Sequence, residues 1–165
     1  MLPPWLYDLP WGPIQTAASA AGIEHLYVAA IIMAESGGAS CATRYEHGWE
    51  YHYQVEYFAR MTGTTILTEH IGQMTSWGAM QVMGTVAREY GFKGYFPELC
   101  TDSVGIKYGC MHLKKFLKKY GSYKDAIAAY NAGSVRLAAD GRYVNAEYVD
   151  KVIGYYNEFM DFIDD

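Results

Sequence analysis

The chain has 165 residues, 51% of them hydrophobic and 19% charged, a length that fits one domain (1–165) burying roughly 70% of its unfolded surface. A net charge of -5 argues against nucleic acid as the main partner, because phosphate binding needs a basic surface. No apolar stretch approaches the roughly 20 residues that cross a bilayer, so a soluble chain without stable membrane insertion is expected.

The opening "MLPPWLYDLPWGP" has two early prolines, an aspartate and no basic residue. It is unlike a signal peptide, and a chain made in the cytoplasm is expected. Residues 14–21, "IQTAASAA", have helix-forming composition, and Gly22 interrupts before a second helix from about Glu24 to Ser36. That helix is apolar on nearly all sides, which predicts a central buried element closed by Gly37 and Gly38. From 39 to 76 the pattern weakens, and aromatics, acids and histidines mix with strand-like "TTIL". A turn or short hairpin, a helix near 54–61 and an irregular return are expected there. Beyond it, "AMQVMGTVAREYG" is a short helix, "DSVGIKYGCMHLKKFLKKYG" a long one, "YKDAIAAYNAG" another, and "NAEYVDKVIGYYNEFMDFID" a closing one. The predicted fold is mostly α (α+β), a helical core with a small irregular or β-containing lobe inserted at about 39–76.

Charge is unevenly spread, with all eight lysines after residue 92 and four of them in "HLKKFLKKYG". That run is either a solvated helix face or a loose attraction for an anionic polymer. Three cysteines (Cys41, Cys100, Cys110) cannot all pair; the count suits a reducing compartment and leaves a Cys100–Cys110 bridge open. His47, His52 and His70 lack the spacings of a zinc site, so neither metal nor cofactor is expected. Cys110 and His112 sit two apart on a helix and point to different sides, which argues against a thiol–imidazole pair.

Glu35 is the first candidate for chemistry. A carboxylate in the last turn faces the negative end of the helix dipole, and partial burial further disfavours its charge. Both effects raise its pKa, and a carboxylic acid still protonated near neutral pH can give its proton to a leaving glycosidic oxygen.

Glu35 stands in a pattern. "ESGG" at 35–38, "SWGAMQVMGTVA" at 76–87, "AIAAYNAG" at 126–133 and "YVDKV" at 148–152, in that order, resemble the four motifs of the soluble lytic transglycosylase family. The resemblance spans roughly residues 20–156 and implies a lysozyme-like fold, whose core goose-type lysozymes share. It further implies that Glu35 is the single catalytic acid/base. Ser76, Met80 and Gln81 then match residues of the substrate cleft, Tyr130 and Asn131 the pair of "AYNAG" with the tyrosine hydroxyl near the carboxyl, and Tyr148 the last motif. Gln81 and Asn131 also carry the donors and acceptors that sugar N-acetyl and hydroxyl groups require.

The chain departs from the family pattern where Gly84 stands for the usual proline after "MQVM", where Ser134 follows "AYNAG", and in the length of about 40 residues between Glu35 and Ser76. The added lobe bears on the reaction. A transglycosylase needs one carboxyl group, because the muramyl 6-hydroxyl attacks and leaves a 1,6-anhydro end. A hydrolase needs a second carboxylate, about 6.5–9.5 Å away for inversion or about 5–5.5 Å for retention. Glu46, flanked by Tyr45 and Trp49, and Glu69 are the candidates, with Glu50 and Glu56 behind them and Glu46 preferred over Glu69 for facing substrate. The aromatic group Tyr45, Trp49, Tyr51, Tyr53, Tyr57 and Phe58 is either a glycan platform or the core of the lobe.

The expected activity is cleavage of the β-1,4 bond between N-acetylmuramic acid and N-acetylglucosamine in peptidoglycan glycan strands, by a monomer. The alternatives are a muramidase on the same fold and a non-catalytic glycan-binding or virion structural protein. By likeness to phage lytic proteins, the expected setting is an endolysin or a virion-associated enzyme acting on the bacterial wall.

Overall fold

In a computed structural model, residues 8–163 are described. The opening seven residues, on which the expected lack of a signal peptide largely rests, lie outside them. Helix α1 (Trp11–Ala21) is followed by α2 (His25–Ser36), strand β1 (Thr43–Tyr45), α3 (Val55–Thr62), α4 (Ile66–Gln73) and strands β2 (Thr75–Trp77) and β3 (Val82–Met83). Helix α5 (Gly84–Glu89), a 3-10 turn (Phe96–Cys100), α6 (Asp102–Tyr120), α7 (Tyr123–Ala132) and α8 (Ala146–Ile163) complete the order. The fold is mostly helical with a small antiparallel sheet, as expected for a lysozyme-like α+β protein. Among the described residues no helix is long and apolar enough to cross a membrane.

Helix α2 is the axis of the core. Leu26 and the run Val28–Met33, seven of its 12 residues, are buried, and each large aliphatic side chain so buried stabilises the fold by roughly 1.5–3 kcal/mol. Helix α8 packs along it most extensively, α1 covers a second side, and α6 joins α1 to α7. The N-terminal end of α2 is pinned as well. Tyr27 stacks between Tyr123 and Tyr156 with ring centroids 3.9 and 4.0 Å away, while the Tyr156 hydroxyl donates to Glu24 at 2.9 Å. An axis fixed this way holds its last turn, and therefore Glu35, in one place.

The inserted lobe holds more helix than expected. "TTIL" is not a strand: the Thr65 side chain accepts the Thr68 amide as an N-cap, and Ile66 and Leu67 enter α4 with 57% and 67% of their surface exposed. Capping satisfied a backbone donor that a strand would have paired with a neighbour. Conversely, "AMQVM" is not helical. Val82–Met83 pairs antiparallel with β2 in the order β1-β2-β3, with Arg44 opposite Ser76 and Ser76 opposite Met83.

Gly84 has a physical reason. A Cβ there would stand 2.1 Å from the Gly72 carbonyl oxygen and 2.9 Å from the Gln73 Cα, so the backbone of α5 approaches that of α4 more closely than any side chain, proline included, allows. The lobe is further held by one buried ion pair. Arg88 is 1% and Glu69 2% exposed; Nε and Nη2 of Arg88 donate to the two Glu69 oxygens at 2.8 and 2.9 Å, and Nη1 to the carbonyls of Phe92 and Gly94. Phe58, Phe92 and Phe96 present ring faces to the guanidinium at 4.7, 5.2 and 4.3 Å.

The open thiol pairing also resolves differently. Cys110 is buried on α6, whereas the Cys100 thiol lies within hydrogen-bond reach of Cys41; burial and that contact push it up to about 12.

Candidate active-site cleft

A cleft of about 590 Å³ runs between the helical core and the sheet. Glu35 reaches it from the end of α2, Glu46 and Gln81 from the sheet side, His112 from α6 and Tyr130 from α7. Along β1 and the residue that follows it, the alternation puts Arg44 and Glu46 on the cleft side, while Tyr45 turns its hydroxyl to the Met74 sulfur at 3.5 Å.

Glu35 is half-buried there. The Tyr148 hydroxyl, from the first turns of α8, donates to its Oε1 at 2.6 Å, which sets the rotation of the carboxyl. Burial raises the Glu35 pKa; the Tyr148 hydrogen bond and the positive charges of Arg44 and Lys151 lower it, and the negative Glu46 raises it, with the net result above the ordinary glutamate value. The next residue anchors the turn: Ser36 Oγ donates to the Ala79 carbonyl at 2.8 Å, and Lys151 Nζ donates to the Ala34 carbonyl at 2.9 Å. Each of the four sequence motifs therefore contributes to one small volume.

A family model described as "Transglycosylase SLT domain" matches residues 12–153, a span that holds Glu35, Tyr148 and the whole cleft. The chain belongs to this family. Among curated proteins, none matches the chain. Membership in the SLT domain family supports cleavage of glycosidic bonds in peptidoglycan as the activity.

Within this SLT domain the motif residues divide into cleft and support. Gln81 lines the cleft but spends its amide on the fold: Nε2 donates to the carbonyls of Ala42 and Gly78 at 2.8 and 2.9 Å, and Oε1 accepts from Ser76 Oγ at 2.9 Å. Those three bonds hold the β2–β3 turn and a backbone φ of 49° that L-residues rarely adopt. Met80 is fully buried and packs at Gly109 of α6. The Tyr130 hydroxyl lines the cleft near enough to Glu35 to feel its charge and donates to the Met80 carbonyl at 2.8 Å; the tyrosine hydrogen-bonded to Glu35 is Tyr148. Asn131 is exposed at the cleft, its Oδ1 accepting from Asn145 at 2.9 Å.

The two rival carboxylates separate. Glu46 lines the same cleft as Glu35 but is held by Arg44, Nε to Oε1 at 2.6 Å. Glu69 is committed to Arg88 and lies outside the cleft. The lobe aromatics are neither one platform nor one core: Trp49 faces the cleft with Nε1 donating to Thr85 at 3.2 Å, Phe58 is buried, and Tyr51 and Tyr57 are about half exposed. His52 and His70 stack on each other at 4.0 Å. Among the described residues no three His, Cys, Asp or Glu side chains are grouped to hold a metal.

Sequence reasoning passed over His112, Lys115, Lys119 and Arg136 as cleft residues. His112 accepts or shares a proton with the Tyr90 hydroxyl at 3.2 Å and packs edge-on to Phe116 and Tyr130. Burial, with a smaller push from Lys115, lowers its pKa to about 4, so it lines the cleft as a neutral ring.

Proposed function

We propose that the chain is a peptidoglycan lytic transglycosylase cutting the β-1,4 bond between N-acetylmuramic acid and N-acetylglucosamine, with Glu35 as its single acid/base. Protonated Glu35 gives its proton to the bridging oxygen as the C1–O4 bond breaks. The muramyl O6 closes on C1, and the Glu35 carboxylate takes the O6 proton, which returns the enzyme to its starting state. Burial favours the protonated form of Glu35 and Tyr148 sets its orientation; a displacement of about 1 Å can cost on the order of a hundredfold in rate. Ser76, Gln81, Met80 and Tyr130 serve as the frame behind the site, and Asn131 and Trp49 as the surfaces that meet sugar.

The observation that carries this reading is a carboxyl group with a raised pKa, oriented by a tyrosine in an open cleft, whose rival in that cleft is paired with an arginine. Wild-type protein is expected to clear a suspension of cell walls, and Glu35→Gln to leave it turbid. Equal clearing by both would remove Glu35 from the chemistry.

A muramidase with Glu46 as second carboxylate is the other reading, favoured by one observation: Glu46 shares the cleft and its charge acts on Glu35. Mass spectrometry of the products separates the two, since anhydro ends belong to the first and reducing ends to the second.

A further inference from the structure

The lysines of "HLKKFLKKYG" are one feature in the sequence, but in the structure they do not share one environment. Lys114 turns away, its Nζ donating to the Gly22 carbonyl beyond the end of α1 at 3.2 Å. Lys115 and Lys119, one turn apart on α6, face the cleft, as does Arg136 beyond the end of α7. Their heads are held but remain in solvent: Lys115 Nζ stands 6.0 Å over the Tyr90 ring, Lys119 Nζ 4.9 Å over Tyr120, and Arg136 Nη2 donates to the Ala132 carbonyl at 3.4 Å.

None of these three cations makes an ion pair among the described residues, whereas Arg44 across the cleft is matched by Glu46. A chain of net charge -5 thus keeps three unmatched positive charges on one wall of its cleft. Neutral N-acetylated sugars do not call for them; an anion does.

We infer that Lys115, Lys119 and Arg136 form a subsite for the carboxylates of the peptide stem carried by the muramyl sugar. This rests on the reading that the cleft binds peptidoglycan, and it adds which part of that polymer is recognised. The stem hangs from the same sugar whose C1 is cut, so a muramyl unit placed at Glu35 brings its stem against one wall of the same cleft. Charged rim groups act at longer range than hydrogen bonds and steer the strand before it docks.

The test is titration calorimetry on Glu35→Gln protein, which holds glycan without turning it over. The ligands are soluble glycan oligomers with intact stems and the same oligomers with every stem carboxylate converted to a neutral amide. Each exposed charge pair contributes about a two- to threefold gain, so the oligomer with free stem carboxylates is expected to bind about tenfold more tightly, with the preference fading in high salt. Adding Lys115→Gln, Lys119→Gln and Arg136→Gln together, all at exposed positions that circular dichroism can verify as folded, is expected to abolish the preference. Equal affinity for the two oligomers, or a preference that survives the triple change, would overturn the subsite. Binding of neither oligomer overturns it together with the functional reading, whose own failure is read separately from the wall-clearing and product-end assays.

Discussion

Replacing Glu69 by glutamine tests the division of labour between the three carboxylates. In the native protein Arg88 uses four hydrogen bonds, two to Glu69 and two to backbone carbonyls, inside a ring of three phenylalanines. Glutamine keeps the shape and one acceptor oxygen but leaves a buried cation without its counter-charge. Breaking a buried pair from one side costs about 3–5 kcal/mol, and the retained acceptor puts Glu69→Gln near the lower end, about 3 kcal/mol. For a chain of this length that is a fall in Tm of roughly 6–12 °C. Thermal and urea unfolding followed by circular dichroism measure it, with an unchanged urea slope showing that only stability moved. Wall clearing, measured well below the lowered Tm, should persist. A Tm shift under about 2 °C would refute the buried pair as a structural element, and loss of clearing in a folded variant would return Glu69 to the chemistry.

Tyr148→Phe removes a hydrogen bond that favours the Glu35 carboxylate, so the Glu35 pKa should rise further and the alkaline limb of the pH–rate profile should move up; the rate should also fall, by about 10- to 100-fold, as the carboxyl loses its orientation. His112 holds a lowered pKa of about 4 against an ordinary 6.5, so the unfolded chain takes up its proton first and stability should fall by about 3 kcal/mol between pH 6.5 and 4. Urea unfolding across that window should show this loss in the wild type and not in His112→Gln. With oxidised glutathione as the disulfide oxidant, Cys41 and Cys100 should pair while two glutathione thiols are released. Closing a loop of about 60 residues should raise Tm by roughly 10 °C, and peptide mapping that found Cys100 joined to Cys110 would contradict the neighbouring thiols.

The helices were largely legible because their apolar periods are long. Helix α2 reads as buried from its composition, and its terminal carboxylate stands out because nothing else in that run is charged. Short elements were not legible: two residues of β3 carry no period, and "TTIL" has strand composition but a threonine whose side chain caps a helix. Partnerships across space were hidden too. Nothing near Glu69 in the sequence announces Arg88, 19 positions on, and the motifs named both Tyr130 and Tyr148 without showing that Tyr148 donates to Glu35 while Tyr130 donates to the Met80 carbonyl. The lysine run was visible as charge, but only the position of α6 against the cleft shows that Lys115 and Lys119 line it while Lys114 bonds elsewhere. Gly84 reads as a departure in the sequence and as a close approach of two helices in space.

The proton on Glu35 is the quantity on which the chemistry depends. Carbon-detected NMR titration of its side-chain carboxyl in the free protein, set beside the pH dependence of kcat/KM, measures it directly. A midpoint above the ordinary glutamate value of 4.5, matched by the alkaline inflection in kcat/KM, is expected. A midpoint at or below that value, or an inflection unrelated to it, would contradict Glu35 as the acid.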